Sequence, residues 1–502
     1  MNAPLRRAGV VMMVLFGLLF VNLNWVQVVQ ADKYRTDEEH NRVRVQQQEY
    51  ERPRGEIIVD GDSVAESVET KDTLKYLRKY TNGPAYAHVV GYRPVNLAAT
   101  NIERMENEFL AGTADYFAAD RILEMFTGKE STGGNIVLSV RKRVQETAYK
   151  QLLENDTATK RGAVVAIDPT TGAVLALVST PSFDPNPLVS HDSDAAEAAY
   201  EKLDKNDALP LHNRAVSERF PPGSTFKVIV AAASLQNGAN PGTVLTGGTG
   251  YAPPRAGDFV VRNSPGVQCP DQISLLDALR VSCNTAFART GVEDLGAAKV
   301  RAAAEAFGFE TTPPFDRDTD NAMRVARSTM CAGNEDDPTC LDEPAALAKS
   351  CFGQELVQMT PLQGALVAAA IANDGVQMRP YLIEELRGPG LTPFDRAERK
   401  ELRRPVSSQI AGQMREMMNA VVERGTGTNA RIDGVEVGGK TGTAENGNAP
   451  DHGWFIGYAR QNGQPVVAVA VLLQNAGSGG SAEAAQIAGQ VMRAAIAARS
   501  NK

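Results

Sequence analysis

An α+β fold is the class this sequence predicts, and three observations carry the prediction. β-Rich runs occur at residues 163–167 and 173–178 and again at 454–458 and 466–473. The stretch between them is rich in helical spacing, and the chain closes on a further helical segment. The strands therefore form a sheet built from distant segments. Taken in order, Ile136-Val137-Leu138 reads as a short strand and Ser139 as a helix cap. Val140, Val144, Ala148 and Leu152 then make one apolar helical face. The runs 163–167 and 173–178 flank Asp168-Pro169-Thr170-Thr171-Gly172, a turn sequence, and so make a hairpin. From residue 482 to about 499, Ile487, Val491, Ala495 and Ala498 recur at helical spacing. No internal repeat or low-complexity tract interrupts this pattern.

The 502 residues suffice for two or three domains, and 43% hydrophobic with 22% charged residues is a globular composition. A net charge of -8, with no basic stripe, argues against a nucleic-acid partner. At the N-terminus, Arg6 and Arg7 precede an apolar run over residues 8–21. It continues through Asn22, Asn24 and Gln27 to Val29, giving about the 20 residues a membrane span needs. Arginines before the span and Asp37, Glu38 and Glu39 after it place the short tail inside and the bulk outside, with Trp25 at the outer interface. The alternative is a signal peptide cleaved at Val29-Gln30-Ala31, for which the apolar stretch is long. Either way the working part is extracytoplasmic. The expected layout is a cytoplasmic tail and anchor over 1–32, a charged and mixed region over 33–134 with only short apolar runs such as His88-Val89-Val90-Gly91-Tyr92, and the main domain over 135–502.

Outside the cytoplasm, disulfides are allowed among Cys269, Cys283, Cys331, Cys340 and Cys351. Cys331 and Cys340 bracket the short acidic loop Asn334-Glu335-Asp336-Asp337-Pro338 and are the better candidate pair. Cys269 with Cys283 is a second, and five buried thiols are the alternative, since spacing does not fix connectivity. The acidic loop lacks the spaced ligands of a calcium site and reads as a solvated turn.

Three short elements carry the chemistry. Ser224 follows Pro221-Pro222-Gly223 and precedes an apolar helical run that stops near Asn237-Gly238. It therefore sits in a first helical turn, where free N–H groups favour negative charge. One turn on, Lys227 lies on the same face. A serine hydroxyl needs a base to become a nucleophile, and Lys227 is a base only when neutral. At an ordinary pKa that form is about 0.04% populated at pH 7, a penalty of roughly 4.6 kcal/mol. Desolvation and a second cation would lower the pKa, and Lys440 is the candidate cation. Taken alone, Ser224 and Lys227 read as a capped helix with a solvated lysine.

The second element is Ser282 and Asn284, after a short helix over 273–280 capped by Ser274. Ser282 can relay a proton because a hydroxyl both donates and accepts, and Asn284 can donate to a substrate carbonyl. By itself Ser-x-Asn signals little. The third is Lys440-Thr441-Gly442-Thr443, after the Gly-rich β run 434–439. Gly442 would let a substrate backbone lie close to this strand. Thr441 and Thr443 offer hydroxyls to a carboxylate, and Lys440 adds positive charge. The N–H groups of Ser224 and Thr443 can form an oxyanion hole, each worth roughly 3 kcal/mol in the transition state. Alone, this run is a Gly-rich hairpin with an exposed lysine. The histidines His40, His88, His191, His212 and His452 show no metal spacing and there is no P-loop, so each reads as structural or exposed and no metal or cofactor is expected.

Ser-Thr-Phe-Lys, Ser-Cys-Asn and Lys-Thr-Gly-Thr, in this order and at this separation, resemble the three motifs of penicillin-binding proteins and serine β-lactamases. The flanks extend the resemblance to class B penicillin-binding proteins over nearly the whole chain. They are Asn213-Arg214-Ala215 and Phe220 before the serine, Phe352-Gly353-Gln354 and Thr360-Pro361-Leu362-Gln363 between the second and third elements, and Arg54-Gly55-Glu56-Ile57 after the span. The short N-terminal region looks most like the small actinobacterial PbpA-type proteins. This implies a penicillin-binding transpeptidase fold, a central antiparallel sheet with helices, preceded by a small non-catalytic pedestal and one membrane helix.

It also implies a peptidoglycan D,D-transpeptidase of the cell wall, active in division or growth. Ser224 would attack the D-Ala-D-Ala bond of a stem peptide, Ser282 would shuttle protons, and Asn284, Lys440, Thr441, Gly442 and Thr443 would bind the donor. β-Lactam antibiotics would acylate the same serine, and a membrane glycosyltransferase would be the partner. Two positions depart from the pattern: Cys283 stands where aspartate is known, and Gln354-Glu355 where Gln-Gly is frequent. Neither removes a reacting group. A serine β-lactamase is the nearest alternative, but the tract between Ser282 and Lys440 and the extra N-terminal region favour the transpeptidase. A β-lactam sensor would need a cytoplasmic signalling domain, and an inactive scaffold would have lost part of the lysine and serine machinery.

Overall fold

The computed structural model describes residues 3–30, 50, 52–117, 132–157, 159–316, 322–335, 337 and 339–500. The expectations placed on Ala31, Asp37, Glu38, Glu39, His40, Asp336 and Pro338 lie outside the described residues. The main sheet has five antiparallel strands in the order Glu436–Asn446, Ala449–Gln461, Gln464–Leu473, Gly162–Ile167, Val174–Thr180. The first and last thirds of the domain thus meet in the middle, where Ala470 pairs with Val165. Strand periodicity decides what each residue covers. Ala163, Val165 and Ile167, with Ala468, Ala470 and Leu472, point into one core. Val164 and Ala166, with Val467, Val469, Val471 and Leu473, point into the other. Because both faces are covered, these strands read as unbroken apolar runs rather than as alternation.

One face carries the terminal helix Gly480–Ser500, through Ile487, Val491 and Ala495, and the helix Lys142–Glu154, through Val144, Ala148 and Leu152. The other is covered by Pro361–Ala372, a helix buried at every position. Small residues set its closeness: a Cβ on Gly364 would lie 3.0 Å from Ile456 and 3.4 Å from Ala470. Behind it, Lys227–Gln236 packs on Gly296–Ala306 and Ser408–Arg424. Ser139 is not a helix cap. The Lys142–Glu154 helix starts after Arg141, and the buried Ser139 hydroxyl donates to the carbonyls of Val174 and Tyr381. Likewise the helix expected over 273–280 is Leu275–Val281, and Ile273 belongs to the short strand Gln272–Ser274; Ser274 does cap that helix, accepting from Asp277 N.

A second sheet of six strands runs Pro393–Arg396, Ile383–Arg387, Asn135–Leu138, Ile57–Val59, Asp62–Glu69, Tyr76–Tyr80. Its N-terminal strands are continued by two that come from beyond residue 380, which covers an edge that would otherwise offer unpaired N–H and C=O groups. Under it, Glu103 is fully buried between Arg54 at 2.8 Å and Arg78 at 2.6 Å, with the Tyr80 hydroxyl at 3.2 Å. Burial alone would raise the Glu103 carboxyl, but the two guanidinium groups outweigh it and hold the pKa below its ordinary value.

At the N-terminus, Ala3–Asn24 continues helically through Trp25–Val29. The stretch Arg6–Val29 is the one helix among the described residues long and apolar enough to cross a membrane, with mean hydropathy 2.0 and no burial against the rest of the protein. The cysteines left open by the sequence resolve into two disulfides, Cys269–Cys283 and Cys331–Cys340. Cys351 is free and buried, its thiol pushed up to about 12 by desolvation.

Candidate active site

The serine turn is made by its glycine. Gly223 has φ +54°, and a Cβ there would fall 2.4 Å from Thr443 O. This places the turn Gly223–Phe226 against the strand Glu436–Asn446 and leads straight into the helix Lys227–Gln236. Gly442 faces the same contact. Its Cβ would meet Pro222 O at 2.6 Å and Thr225 Cγ2 at 2.8 Å. Close packing of the serine turn therefore requires glycine there.

Ser224 is half-buried, while Lys227 and Lys440 are both fully buried. Lys227 Nζ lies 3.0 Å from Ser224 Oγ, 2.8 Å from Ser282 O, 3.2 Å from Ser282 Oγ and 2.6 Å from Asn284 Oδ1. Lys440 Nζ lies 3.0 Å from the same Ser282 Oγ and donates to Thr441 O at 2.8 Å. Every one of these partners is an uncharged oxygen. A buried ammonium without a counter-ion is costly, so both lysines shift toward the neutral form. Burial first, then the Lys440 charge, takes Lys227 well below its ordinary pKa. Burial takes Lys440 to about 7.

The hydrogen-bond count agrees. A neutral Lys227 has two protons for its two shortest acceptors, Ser282 O and Asn284 Oδ1, and one lone pair to accept from a serine hydroxyl. The Asn284 amide is oriented by its other end, which donates to Arg262 O at 3.0 Å. The two lysines are joined through Ser282 rather than directly.

Ser282 ends the helix Leu275–Val281 in the left-handed conformation, φ 65° and ψ 42°, a cost of roughly 1–3 kcal/mol for a residue with a Cβ. Its neighbours hold it there. Cys283 is bonded to Cys269, and Asn263 Oδ1 accepts from Asn284 N at 2.8 Å and Thr285 N at 3.1 Å. Thr441 and Thr443 share one face of their strand. Thr443 is exposed, with its carbonyl 3.4 Å from Gln354 Nε2. Thr441 is 6% exposed and its hydroxyl lies 2.6 Å from that of Thr426.

The structure thus brings Ser224, Lys227, Ser282, Asn284, Lys440 and Thr441 into one cluster, with Gly442 and Thr443 continuing the same strand. Sequence reasoning missed Asn263 and Thr426. Asn263 carries no local signal. Thr426 carries a slight one, a Gly-Thr-Gly that interrupts the helical pattern after Arg424. At the second departure, Glu355 has φ +63°, which accounts for glycine being frequent there, and its carboxylate pairs with Lys349 at 2.5 Å. Of the histidines described, His88 and His452 are buried, His191 pairs with Asp72 and His212 with Glu218, both at 2.7 Å.

Comparison with known proteins matches this geometry. Residues 162–493 fit the model of the penicillin-binding protein transpeptidase domain, and residues 54–136 that of the penicillin-binding protein A dimerisation domain. The chain is 41% identical to peptidoglycan D,D-transpeptidase PbpA of Mycolicibacterium smegmatis and 39% identical to PbpA of Mycobacterium tuberculosis, in each case over 99% of both chains. The solved ceftriaxone acyl-enzyme complex of penicillin-binding protein A from M. tuberculosis superposes with a TM-score of 0.82, at 38% identity, covering 90% of this chain and 100% of that one. A cluster of two buried lysines around two serines, on a sheet of this order, with relatives of this closeness, identifies the chain as a member of the class B penicillin-binding proteins of PbpA type.

Proposed function

We propose that this site cross-links peptidoglycan by D,D-transpeptidation through an acyl-serine. Lys227, neutral by burial, takes the Ser224 proton as Oγ attacks the carbonyl of the penultimate D-alanine of a stem peptide. The N–H groups of Ser224 and Thr443 would hold the oxyanion, and the hydroxyls of Thr441 and Thr443 the terminal carboxylate. Asn284 would bind the donor amide. The proton returns through Ser282 Oγ to the departing D-alanine nitrogen as the C–N bond breaks, leaving the acyl-enzyme. An amine of a second stem peptide then attacks the ester carbonyl, gives up its proton by the same route and restores Ser224. β-Lactams would acylate Ser224 and stop there.

The observation that carries this reading is a fully buried lysine with no anionic partner in hydrogen-bond contact, 3.0 Å from a half-buried serine. The helix Arg6–Val29 supports a membrane tether. The catalytic domain would lie outside the cytoplasm and work beside a membrane glycosyltransferase that supplies glycan strands, as the class B resemblance implies. We read residues 1–32 as anchor, 33–134 as pedestal and 135–502 as catalytic domain, with Asn135–Leu138 and the strands Ile383–Arg387 and Pro393–Arg396 of the last segment completing the six-stranded sheet. The test is a fluorescent penicillin added to native protein and to Ser224→Ala, with D-alanine release from a D-Ala-D-Ala peptide followed in parallel. Stable label and D-alanine release only in the native protein are expected. No label would overturn the acyl-serine, and label lost within seconds would make the protein a β-lactamase.

A further inference from the structure

We infer that Asn263 is a positioning residue for recognition of the donor amide, acting through Asn284; this rests on the transpeptidase reading above. Three contacts hold Asn284, and two of them come from the pair Arg262-Asn263, about one short hairpin earlier in the chain. Asn284 N donates to Asn263 Oδ1 at 2.8 Å, and Asn284 Nδ2 donates to Arg262 O at 3.0 Å. The third is Lys227 Nζ, 2.6 Å from Asn284 Oδ1. Asn263 Oδ1 also accepts from Thr285 N at 3.1 Å, so one side-chain oxygen serves the first two N–H groups of the helix Asn284–Arg289. Asn263 is itself fixed from behind. Its Nδ2 donates to Gly248 O at 2.9 Å, and Thr285 Oγ1 donates to the same carbonyl at 2.9 Å. Gly248 N in turn donates to Pro270 O at 3.2 Å, and Gly247 N to Asp271 O at 2.9 Å. These bonds continue the antiparallel pair Val244–Thr246 and Gln272–Ser274, from which the helix Leu275–Val281 runs to Ser282. Asn263 therefore ties the backbone of Asn284 to the base of the element that presents Ser282.

A proton count gives the arrangement its consequence. A side-chain amide carries two N–H protons. Asn284 uses one on Arg262 O, and among the described residues the other has no acceptor. The amide is planar, so holding its oxygen at Lys227 and one N–H at Arg262 fixes the direction of the second N–H. That direction is set by where the Asn284 backbone sits, and Asn263 seats it. The free N–H is the one donor left for a ligand carbonyl. The ligand class is the amide carbonyl shared by a donor stem peptide and by penicillins whose amino group is acylated. A ligand without that carbonyl gains nothing from the alignment.

The experiment measures second-order acylation constants of full-length native protein, Asn263→Ala and Asn263→Asp with two probes of the same serine. Benzylpenicillin carries the acylamino carbonyl; 6-aminopenicillanic acid has the same ring system and carboxylate but a free amine. The readout is the ratio of the two constants, in which any effect common to both probes cancels, including a loss of folded protein. For Asn263→Ala the ratio of benzylpenicillin to 6-aminopenicillanic acid should fall about fivefold or more, the scale of one misaligned hydrogen bond. Asn263→Asp keeps an oxygen for both N–H groups and should hold the ratio within about twofold of native. Should the alanine variant not fold, Asn263→Ser takes its place, since its shorter side chain does not reach both N–H groups. Equal losses for both probes would make Asn263 a purely structural residue and overturn the inference, as would a fall in the ratio just as large for Asn263→Asp. A native protein that reacts with neither probe would instead overturn the acyl-serine reading on which the inference stands.

Discussion

Ser282 Oγ lies 3.0 Å from Lys440 Nζ, so the second sequence element is hydrogen-bonded to the third across 158 residues of chain. The same oxygen is 3.2 Å from Lys227 Nζ, which makes it the bridge between two lysines whose hydrogen-bond partners are all uncharged oxygens. Replacing Ser282 by alanine breaks the bridge without opening the fold. The expected result is a loss of about a hundredfold or more in acylation by benzylpenicillin, the usual scale for a missing proton-transfer group. Stopped-flow labelling checks it, and a change below threefold would remove Ser282 from the proton path.

The shifted lysines predict a pH profile with a definite sign. Lys227 works as a base only when neutral, so acylation should rise with pH through its pKa. Lys440 supplies positive charge only below its own pKa of about 7, so the rate should fall again above that. Lys440→Met removes the charge that helps depress Lys227. The rising limb should therefore move to higher pH, and the falling limb should disappear.

Stability should follow the same groups. A lysine whose folded pKa is depressed leaves the unfolded chain binding more protons between the two values. Native stability therefore increases as pH goes from 7 toward 9, and decreases as pH falls toward the folded pKa of Lys440. Urea titrations at pH 7 and pH 9 should show this gain in the native protein and a smaller one in Lys440→Met.

Glu103→Gln leaves Arg54 and Arg78 buried beside an uncharged amide. The expected cost is about 3–5 kcal/mol, the scale for breaking a buried ion pair from one side. Thermal unfolding measures it. Penicillin labelling at low temperature should persist, because the network lies outside the lysine cluster.

The Cys269–Cys283 bond closes a loop with a sequence separation of 14 that ends beside Asn284. The double substitution Cys269→Ser, Cys283→Ser should cost about 3 kcal/mol. It should also slow acylation, since the residue preceding Asn284 would lose its covalent tie. If only stability changed, the hydrogen bonds of Asn284 to Asn263 and Arg262 would suffice to hold the element.

What the sequence made legible was whatever repeats locally. The spacing of Ser224 and Lys227 placed them together, and the apolar runs over 163–167 and 466–473 were strands because both of their faces are covered. What escaped was set by distant contacts. Ser139 looked like a cap, but its hydroxyl is satisfied by strand carbonyls at Val174 and Tyr381, which no local pattern announces. Gly442 carries a second constraint no local pattern shows, since its missing Cβ lets Pro222 and Thr225 of the serine turn pack against the strand. Thr426 acquires its neighbour only when the helix Ser408–Arg424 and the strand Glu436–Asn446 are folded side by side.

The six-stranded sheet has a mechanical meaning. Tyr381 bridges Ala173 at the margin of the catalytic sheet, and two residues later Ile383 begins a strand of the six-stranded sheet, paired with Leu138. One short stretch of backbone is thus clamped in both sheets, with the buried Ser139 hydroxyl bonded to Tyr381 O as a rivet between them. A hinge at that place would have to shear both ladders, so this stretch of backbone ties the six-stranded sheet to the catalytic sheet.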